Sequence, residues 1–359
     1  MSERVVVGMS GGVDSAVAAS LLKEQGFDVV GLYMSNWKEE DPDGACTGER
    51  DWADVARVCD RIGIPYYSVD FSAEYMERVF RLFVEEYKKG RTPNPDVLCN
   101  REVKFGPFVK FARGLSADYI ATGHYCNVRH EGGRHYLLRA ADENKDQTYF
   151  LNQVREAQLA DVLFPLGGLY KEDVREYARA HDIPVAEKKD STGICFIGER
   201  KFREFLSRYI PMKPGDIVTA DGRAVGRHDG VYYYTIGQRR GLGIGGSAEG
   251  TGESWFVLDK DVENNLLIVS QGEDAVLYKN ALETEGFNFI TRPDEDEFEC
   301  EVRIRHRQPL QRARVYILKD GVRIVFEKKQ RAIAPGQYAV CYLEDVCLGG
   351  GVIRRAFDV

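Results

Sequence analysis

Gly8-Met9-Ser10-Gly11-Gly12-Val13-Asp14-Ser15 follows the apolar run Val5-Val6-Val7 and leads into Ala16, Val17, Ala18, Ala19, Leu21 and Leu22. Those last residues are mostly good helix formers, and Gly26 stands where a helix would end. A strand, a glycine turn and a helix N-terminus in that order make an anion site. Backbone N–H groups point outward there and the helix dipole adds partial positive charge. Gly11 and Gly12 permit backbone angles and a close phosphate approach that a side chain would block. No Lys-Ser or Lys-Thr pair follows the last glycine, so this is not the common phosphate loop. The competing reading is a glycine-rich turn that happens to precede a helix, and the strand-to-helix context weighs against it.

Outward from that stretch, strand-like and helix-like segments alternate. Strands are predicted over 27–34, 64–71 and 119–123, and helices over 51–61, 73–88, 103–112 and 172–180. A hairpin is expected at Gly132-Gly133. This alternation predicts an α/β domain with a doubly wound parallel sheet, whose ligands bind beyond the carboxyl ends of its strands. Near residue 210 the pattern changes. Pro211, Pro214-Gly215 and Asp221-Gly222 punctuate short alternating runs, with strands predicted over 217–219, 231–235, 255–258 and 266–269. Further strands are predicted over 298–305, 312–318, 322–327 and 338–343, with Asp320-Gly321 as a hairpin turn. The expected organisation is an α/β domain 1–208, a small β-rich domain 209–272 and a C-terminal small β-barrel or sandwich 273–359.

The chain has 359 residues, is 43% hydrophobic and 30% charged, and carries a formal net charge of −8. Nothing in this composition marks disorder or a fibrous protein, and no stretch reaches the length of a membrane span. The first residues run straight into a buried-type strand, so no secretory signal is expected. Eight cysteines without regular spacing then argue for a reducing cytoplasm and for functional thiols. An acidic protein that grips RNA needs a local basic face. Residues 301–331 hold ten Lys or Arg against three acids, net +7, preceded by the acidic Asp294-Glu295-Asp296-Glu297. Alone, alternating solvent-facing residues on strands are the plainer reading of that stretch.

Two cysteines lie in unusual surroundings. Cys99 closes Thr92-Pro93-Asn94-Pro95-Asp96-Val97-Leu98-Cys99-Asn100, where two prolines predict a rigid loop. Cys195 lies in the glycine-flanked Gly193-Ile194-Cys195-Phe196-Ile197-Gly198. Cys59, Cys300, Cys341 and Cys347 read as small core hydrophobes; Cys126 follows a strand end and Cys46 lies in a loop. No Cys-x-x-Cys pair or His cluster suggests a metal site. Asp96 is either a base or base orienter beside Cys99 or a turn-forming residue after proline. Gly241-Leu242-Gly243-Ile244-Gly245-Gly246 lacks the strand and acid of a dinucleotide loop; with Gln238, Arg239 and Arg240 it suits an RNA-facing or structural loop. Tyr232-Tyr233-Tyr234 is expected on a strand.

Residues 10–15 resemble the Ser-Gly-Gly-x-Asp-Ser signature with which PP-loop enzymes hold the pyrophosphate of ATP. The whole chain resembles the bacterial tRNA-specific 2-thiouridylases, the MnmA family. The resemblance runs through residues 8–15, 92–105, 121–125, 144–151, 193–198, 234–246 and 340–351. It implies that Gly8, Met9, Ser10, Gly11, Gly12, Val13, Asp14 and Ser15 bind ATP phosphates, with Met34 and Gly123 lining the nucleotide pocket and Mg²⁺ assisting. It also implies that Asn94, Pro95 and Asp96 meet the target base in a tRNA anticodon loop. His124, Lys145, Asp146, Gln147, Arg305, His306 and Gln337 would contact tRNA. Cys99 would be the nucleophile and Cys195 the carrier of a persulfide received from a donor protein, the two forming a disulfide in turnover. His306 departs from the aromatic Tyr expected there.

The chemistry accounts for these residue types. Oxide is a very poor leaving group, so a uracil oxygen must be adenylated before sulfur can replace it, and AMP then departs. A cysteine persulfide supplies nucleophilic sulfur, and a second thiolate can attack its inner sulfur. Two other readings share the phosphate loop: an adenylating ligase or amidotransferase, and an RNA-binding protein regulated by ATP. The first needs an ammonia source or amino-acid acceptor, and no glutaminase-like domain is visible. Truncation of Cys99 and Cys195 separates both from thiolation.

Overall fold

The computed structural model describes residues 2–38, 47–190, 202–244, 252–272 and 274–359. Strands β1 (Arg4–Met9), β2 (Asp28–Ser35), β3 (Tyr66–Asp70) and β4 (Tyr119–Thr122) pair in parallel with a short strand, β7 (Val162–Leu163), in the order β3-β2-β1-β4-β7. Strand order reverses between β1 and β4, which opens a crevice at their carboxyl ends. Both faces of β1 are buried. Val5, Val7 and Met9 pack with Val17 and Leu22 of helix α1 (Val13–Glu24) and with Val55 and Val58 of helix α2 (Thr47–Ile62). Val6, Leu32 and Met34 belong to the opposite core, which holds Val97, Cys99, Val103 and Phe108. The period-2 alternation of a strand thus places the glycine turn over one layer and Cys99 in the other.

The Pro93–Asn100 stretch departs from the expected rigid loop. Residues Pro95–Cys99 form a helix, α3, with Pro95 in its first turn. Asn94 caps it, its side-chain oxygen accepting from the N–H groups of Asp96 at 3.1 Å and Val97 at 3.3 Å. Proline at the first helical position lacks only an N–H that would go unbonded anyway, so Asn-Pro here starts a helix. The helix then widens into a π-type segment, Asn100–Phe108, that absorbs Pro107 and a kink at Phe105. The expected helix 73–88 is likewise helical but contains a π turn at Met76–Phe80.

Beyond residue 210, β8 (Gly215–Thr219), β9 (Ala224–His228), β10 (Trp255–Asp261) and β11 (Leu266–Gln271) form a separate four-stranded sheet. The tyrosine run is not a strand: Val231–Tyr233 is a single 3-10 turn, with Tyr233 hydrogen-bonded to the Ile210 carbonyl at 2.5 Å. In the C-terminal part β12 (Tyr278–Phe289), β15 (Gly321–Arg331), β14 (Gln311–Leu318), β13 (Glu297–Arg303), β16 (Tyr338–Leu343) and β17 (Val346–Phe357) pair in that order. β12 also pairs with β17, so the sheet closes into a barrel. The hairpin β5 (Asn127–Glu131) and β6 (Arg134–Leu138), turning at Gly132-Gly133, leaves the first domain and adds to this sheet through Leu138 opposite Val346.

Candidate active site

The turn between β1 and α1 is shaped as a cradle. Gly11 has φ +75°, and a Cβ there would stand 2.7 Å from the Asp51 carbonyl oxygen. Gly123, just past β4, would bring a Cβ to 2.8 Å from the Ser15 nitrogen. A Cβ on Gly8 would touch Met34 at 3.7 Å and Phe108 at 3.4 Å. Gly11 and Gly123 are thus required by close packing of the turn against the Asp51 and Ser15 backbone. Gly12 is the N-cap of α1, so no side-chain cap covers the first-turn N–H groups. The Ser15 hydroxyl ties the turn together, accepting from the Ser10 N–H at 3.1 Å and donating to the Gly12 carbonyl at 3.2 Å. These features fit a polyphosphate.

Cations surround the cradle, and of them the sequence singles out Lys145 alone, as an expected tRNA contact. The Lys171 ammonium, near the start of the helix Lys171–Ala180, bonds Asp14 at 2.6 Å and Asp190 at 2.8 Å. Asp190 also receives Lys145 at 2.7 Å and Arg175 at 2.7 Å. Burial opposes ionisation of Asp190, but the hydrogen bonds from Lys145 and Lys171 outweigh it and hold the carboxyl well below the usual range. Lys188 donates to the Gly11 carbonyl at 3.0 Å and to Asp51 and Asp54 at 2.8 and 2.7 Å, tying α2 to the turn. The Tyr125 hydroxyl donates to Asp14 at 2.8 Å. Among the described residues no group of three or more His, Cys, Asp or Glu is arranged for a metal. A Mg²⁺ carried on phosphates needs only one or two carboxylates, and Asp14 offers one at the cradle.

Cys99 is fully buried on α3, on the other side of the sheet from α1. Its helix continues to Phe108, which meets the Gly8 end of the cradle. Asp96 lies in the first turn of α3, where its carboxylate complements the helix dipole. Cys195 and the loop around it lie outside the described residues, as do Cys46, Gly245 and Gly246. Cys59, Cys126, Cys300, Cys341 and Cys347 are buried, and burial pushes the Cys59 thiol up to about 12.

The residues expected to meet RNA make many contacts inside the protein. His124 is buried with its Nδ1 2.8 Å from the Thr122 hydroxyl, and burial, then the Lys104 charge, drives its pKa well down. The Lys145-Asp146-Gln147 side chains diverge. Lys145 joins Asp190, while Asp146 is buried against Arg303 at 3.1 Å and Gln147 accepts from the Tyr125 N–H at 2.9 Å. Arg305 is part-buried and donates to the Ala332 carbonyl. His306 packs on Phe150 with centroids 4.4 Å apart, and its Nε2 lies 3.3 Å from the Asp146 carbonyl. Gln337 donates to the Thr92 carbonyl at 2.7 Å, pinning the segment ahead of α3 to the barrel.

The basic stretch 301–331 does not form one cationic face. β13 pairs with β14 so that Glu299 opposes Arg314 and Glu301 opposes Arg312. Arg314 bonds Glu297 and Glu299, Arg323 bonds Glu283, Lys329 bonds Asp358, and Arg303 is buried. Of the acidic segment ahead of it only Glu297 reaches across, to Arg314; Glu283, Glu299 and Asp358 supply the other counter-charges, so part of the charge is neutralised within the barrel.

An anion cradle at the switch point of a parallel sheet, ringed by lysines and backed by a buried cysteine, defines a nucleotide-activating enzyme of the PP-loop type. Family models agree along the chain: a tRNA methyl transferase HUP domain matches residues 3–199, a tRNA methyl transferase PRC-barrel domain 203–271, and an aminomethyltransferase beta-barrel domain 279–353. A tRNA-specific 2-thiouridylase of Geobacillus thermodenitrificans is 55% identical over 357 residues, 99% of this chain and 95% of that protein. That of Alkaliphilus oremlandii is 55% identical over 98% of this chain and 97% of its own length; that of Bacillus subtilis is 53% identical over 99% and 95%. The chain belongs to the tRNA-specific 2-thiouridylase (MnmA) family.

Proposed function

We propose that this chain is an ATP-dependent tRNA sulfurtransferase that converts the wobble uridine of an anticodon loop to 2-thiouridine in the cytoplasm. The observation that carries the reading is the junction of the phosphate cradle with the helical segment that runs from Pro95 through Cys99 to Phe108, made where Phe108 meets Gly8. ATP phosphates would lie on the first-turn N–H groups of α1, with Met34 and Gly123 flanking the nucleotide. Bound Mg²⁺, with Asp14 as its protein ligand, would neutralise charge on the phosphates.

The uridine O2 attacks the α-phosphorus and pyrophosphate leaves. Terminal sulfur of a Cys195 persulfide, delivered by a donor protein, then attacks C2 and AMP departs. The Cys99 thiolate attacks the inner sulfur, giving a Cys99–Cys195 disulfide and the thiocarbonyl, and an external thiol reductant restores both cysteines. Asp96, on the same short helix, is placed to orient the base or accept its proton. Asn94 and Pro95 would line the base pocket, and the remaining tRNA contacts would involve His124, Lys145, Asp146, Gln147, Arg305, His306 and Gln337. An extruded anticodon base reaches a buried thiol more cheaply than a paired one.

Mass spectrometry of tRNA nucleosides after incubation with ATP and a persulfide donor tests the reading. Wild type should yield 2-thiouridine with AMP and pyrophosphate, and Cys99→Ser and Cys195→Ser should yield none. Thiouridine formed by either cysteine variant, or ADP as the product, would overturn it.

A further inference from the structure

Asp190 carries more positive charge than one carboxylate needs. Lys145, Lys171 and Arg175 all reach it within 2.8 Å. Lys171 spans from it to Asp14 in the first turn of α1, so this ion cluster borders the phosphate cradle directly. Within the cluster three cations face two carboxylates. The cations differ in how they are held. Arg175 also donates to the carbonyls of Ala186 and Lys188 at 2.8 and 3.1 Å, which fixes it to the segment ahead of Asp190. Lys145 and Lys171 end in ammonium groups on flexible stems, free to rotate their donors between acceptors.

We propose that Asp190 is an internal counter-ion exchanged for the phosphates of ATP and restored as pyrophosphate leaves. The proposal rests on the nucleotide reading of the cradle. A carboxylate presents two anionic oxygens to these donors, and a pyrophosphate presents more oxygens and more charge to the same donors. Its arrival on the uncapped first turn of α1 would draw the Lys145 and Lys171 ammonium groups from Asp190. Against the cost of burial, Lys145 and Lys171 hold this carboxyl well below the usual range, so it competes for them as an anion. The exchange makes no covalent change. It trades ground-state affinity for release, keeping the cation cluster satisfied when empty and returning an anion to it as the product departs.

The test is titration calorimetry of the full chain with pyrophosphate, with and without Mg²⁺. Asp190→Asn should bind pyrophosphate about tenfold tighter than wild type, the order expected for removing one partly screened competing charge. Lys171→Met should bind it more weakly. A purely structural role for the cluster would weaken binding in both variants, so opposite signs support the exchange. Unchanged or weaker binding by Asp190→Asn overturns it. Asp190→Ser, with the same expected sign, serves if the amide variant melts at a lower temperature than wild type. Wild type that binds neither pyrophosphate nor ATP would instead sink the nucleotide reading itself.

Discussion

A methyl group on Gly11 would meet the Asp51 carbonyl oxygen in a backbone conformation that side chains rarely adopt, whereas Gly12 has ordinary φ −99° and open space to 3.5 Å. Gly11→Ala should therefore cost about 1–3 kcal/mol of stability and lower ATP affinity at least about tenfold, since the turn must shift where backbone meets phosphate. Gly12→Ala should stay close to wild type in melting temperature. Nucleotide binding and thermal melts of the two variants, side by side, check this. Three histidines give a second expectation. Burial leads the downward pKa shifts of His124, His228 and His306. Below an unfolded pKa near 6.5 the unfolded chain thus binds more protons than the native one. Their contribution is complete above that pH and lost as pH falls through it. The urea midpoint should drop between pH 7.5 and 5.5, and His124→Gln should flatten the slope. At this scale the glycine turn was readable because its chemistry is contiguous. Lys171, Arg175, Lys188 and Asp190 were not, because ordinary lysines and acids on a helix and a loop acquire meaning only when folding brings them to Asp14 and Gly11.

At the scale of an element, α3 shows where sequence reasoning ran out. Two prolines in four residues read as an extended loop, yet the second begins a helix because Asn94 supplies the cap that its first turn needs. The tyrosine run failed for a related reason: Tyr233 spends its hydroxyl on Ile210, and that tertiary bond overrides an aromatic preference for strands. The barrel strands were legible from their alternation, but its closure of β12 on β17 and the borrowed β5–β6 hairpin depend on long-range pairing that no local pattern carries. Asn94→Ala should cost about 1 kcal/mol, and Asn94→Asp, itself a good cap, should recover most of that. Equilibrium urea unfolding reads the difference. Equal losses in both variants would show that the cap contributes through something other than its acceptor oxygen.

Across the whole molecule, the first domain and the barrel meet along residues 145–154. Thr148 bonds Tyr342 at 3.2 Å, Tyr149 bonds the Tyr338 carbonyl at 3.1 Å, and Gln153 bonds the Gly350 carbonyl at 2.7 Å. The only carboxylate in that run, Asp146, is buried with Arg303, their side chains 0% and 6% exposed. The Thr148 hydroxyl lies 2.9 Å from both of its oxygens and the Thr148 and Ala140 N–H groups donate to Oδ1, so the carboxylate is well satisfied as long as Arg303 stays. A buried pair adds little over an apolar substitute, but removing one member strands a charge, at about 3–5 kcal/mol. Arg303→Met should lose about that much, and Asp146→Asn should lose a similar amount because the buried Arg303 guanidinium is then left without its counter-charge. The double variant should be more stable than the sum of the single losses, with a coupling of at least about 1 kcal/mol for residues in direct contact. Arg323→Gln is the control, since its partner Glu283 lies in the barrel alone and its guanidinium is 44% exposed. Limited proteolysis should then cut Arg303→Met near 145–154 faster than wild type and leave Arg323→Gln unchanged. Additive losses across the cycle would mean that the neighbouring hydrogen bonds, and not this ion pair, hold the barrel against the sheet that carries the active site.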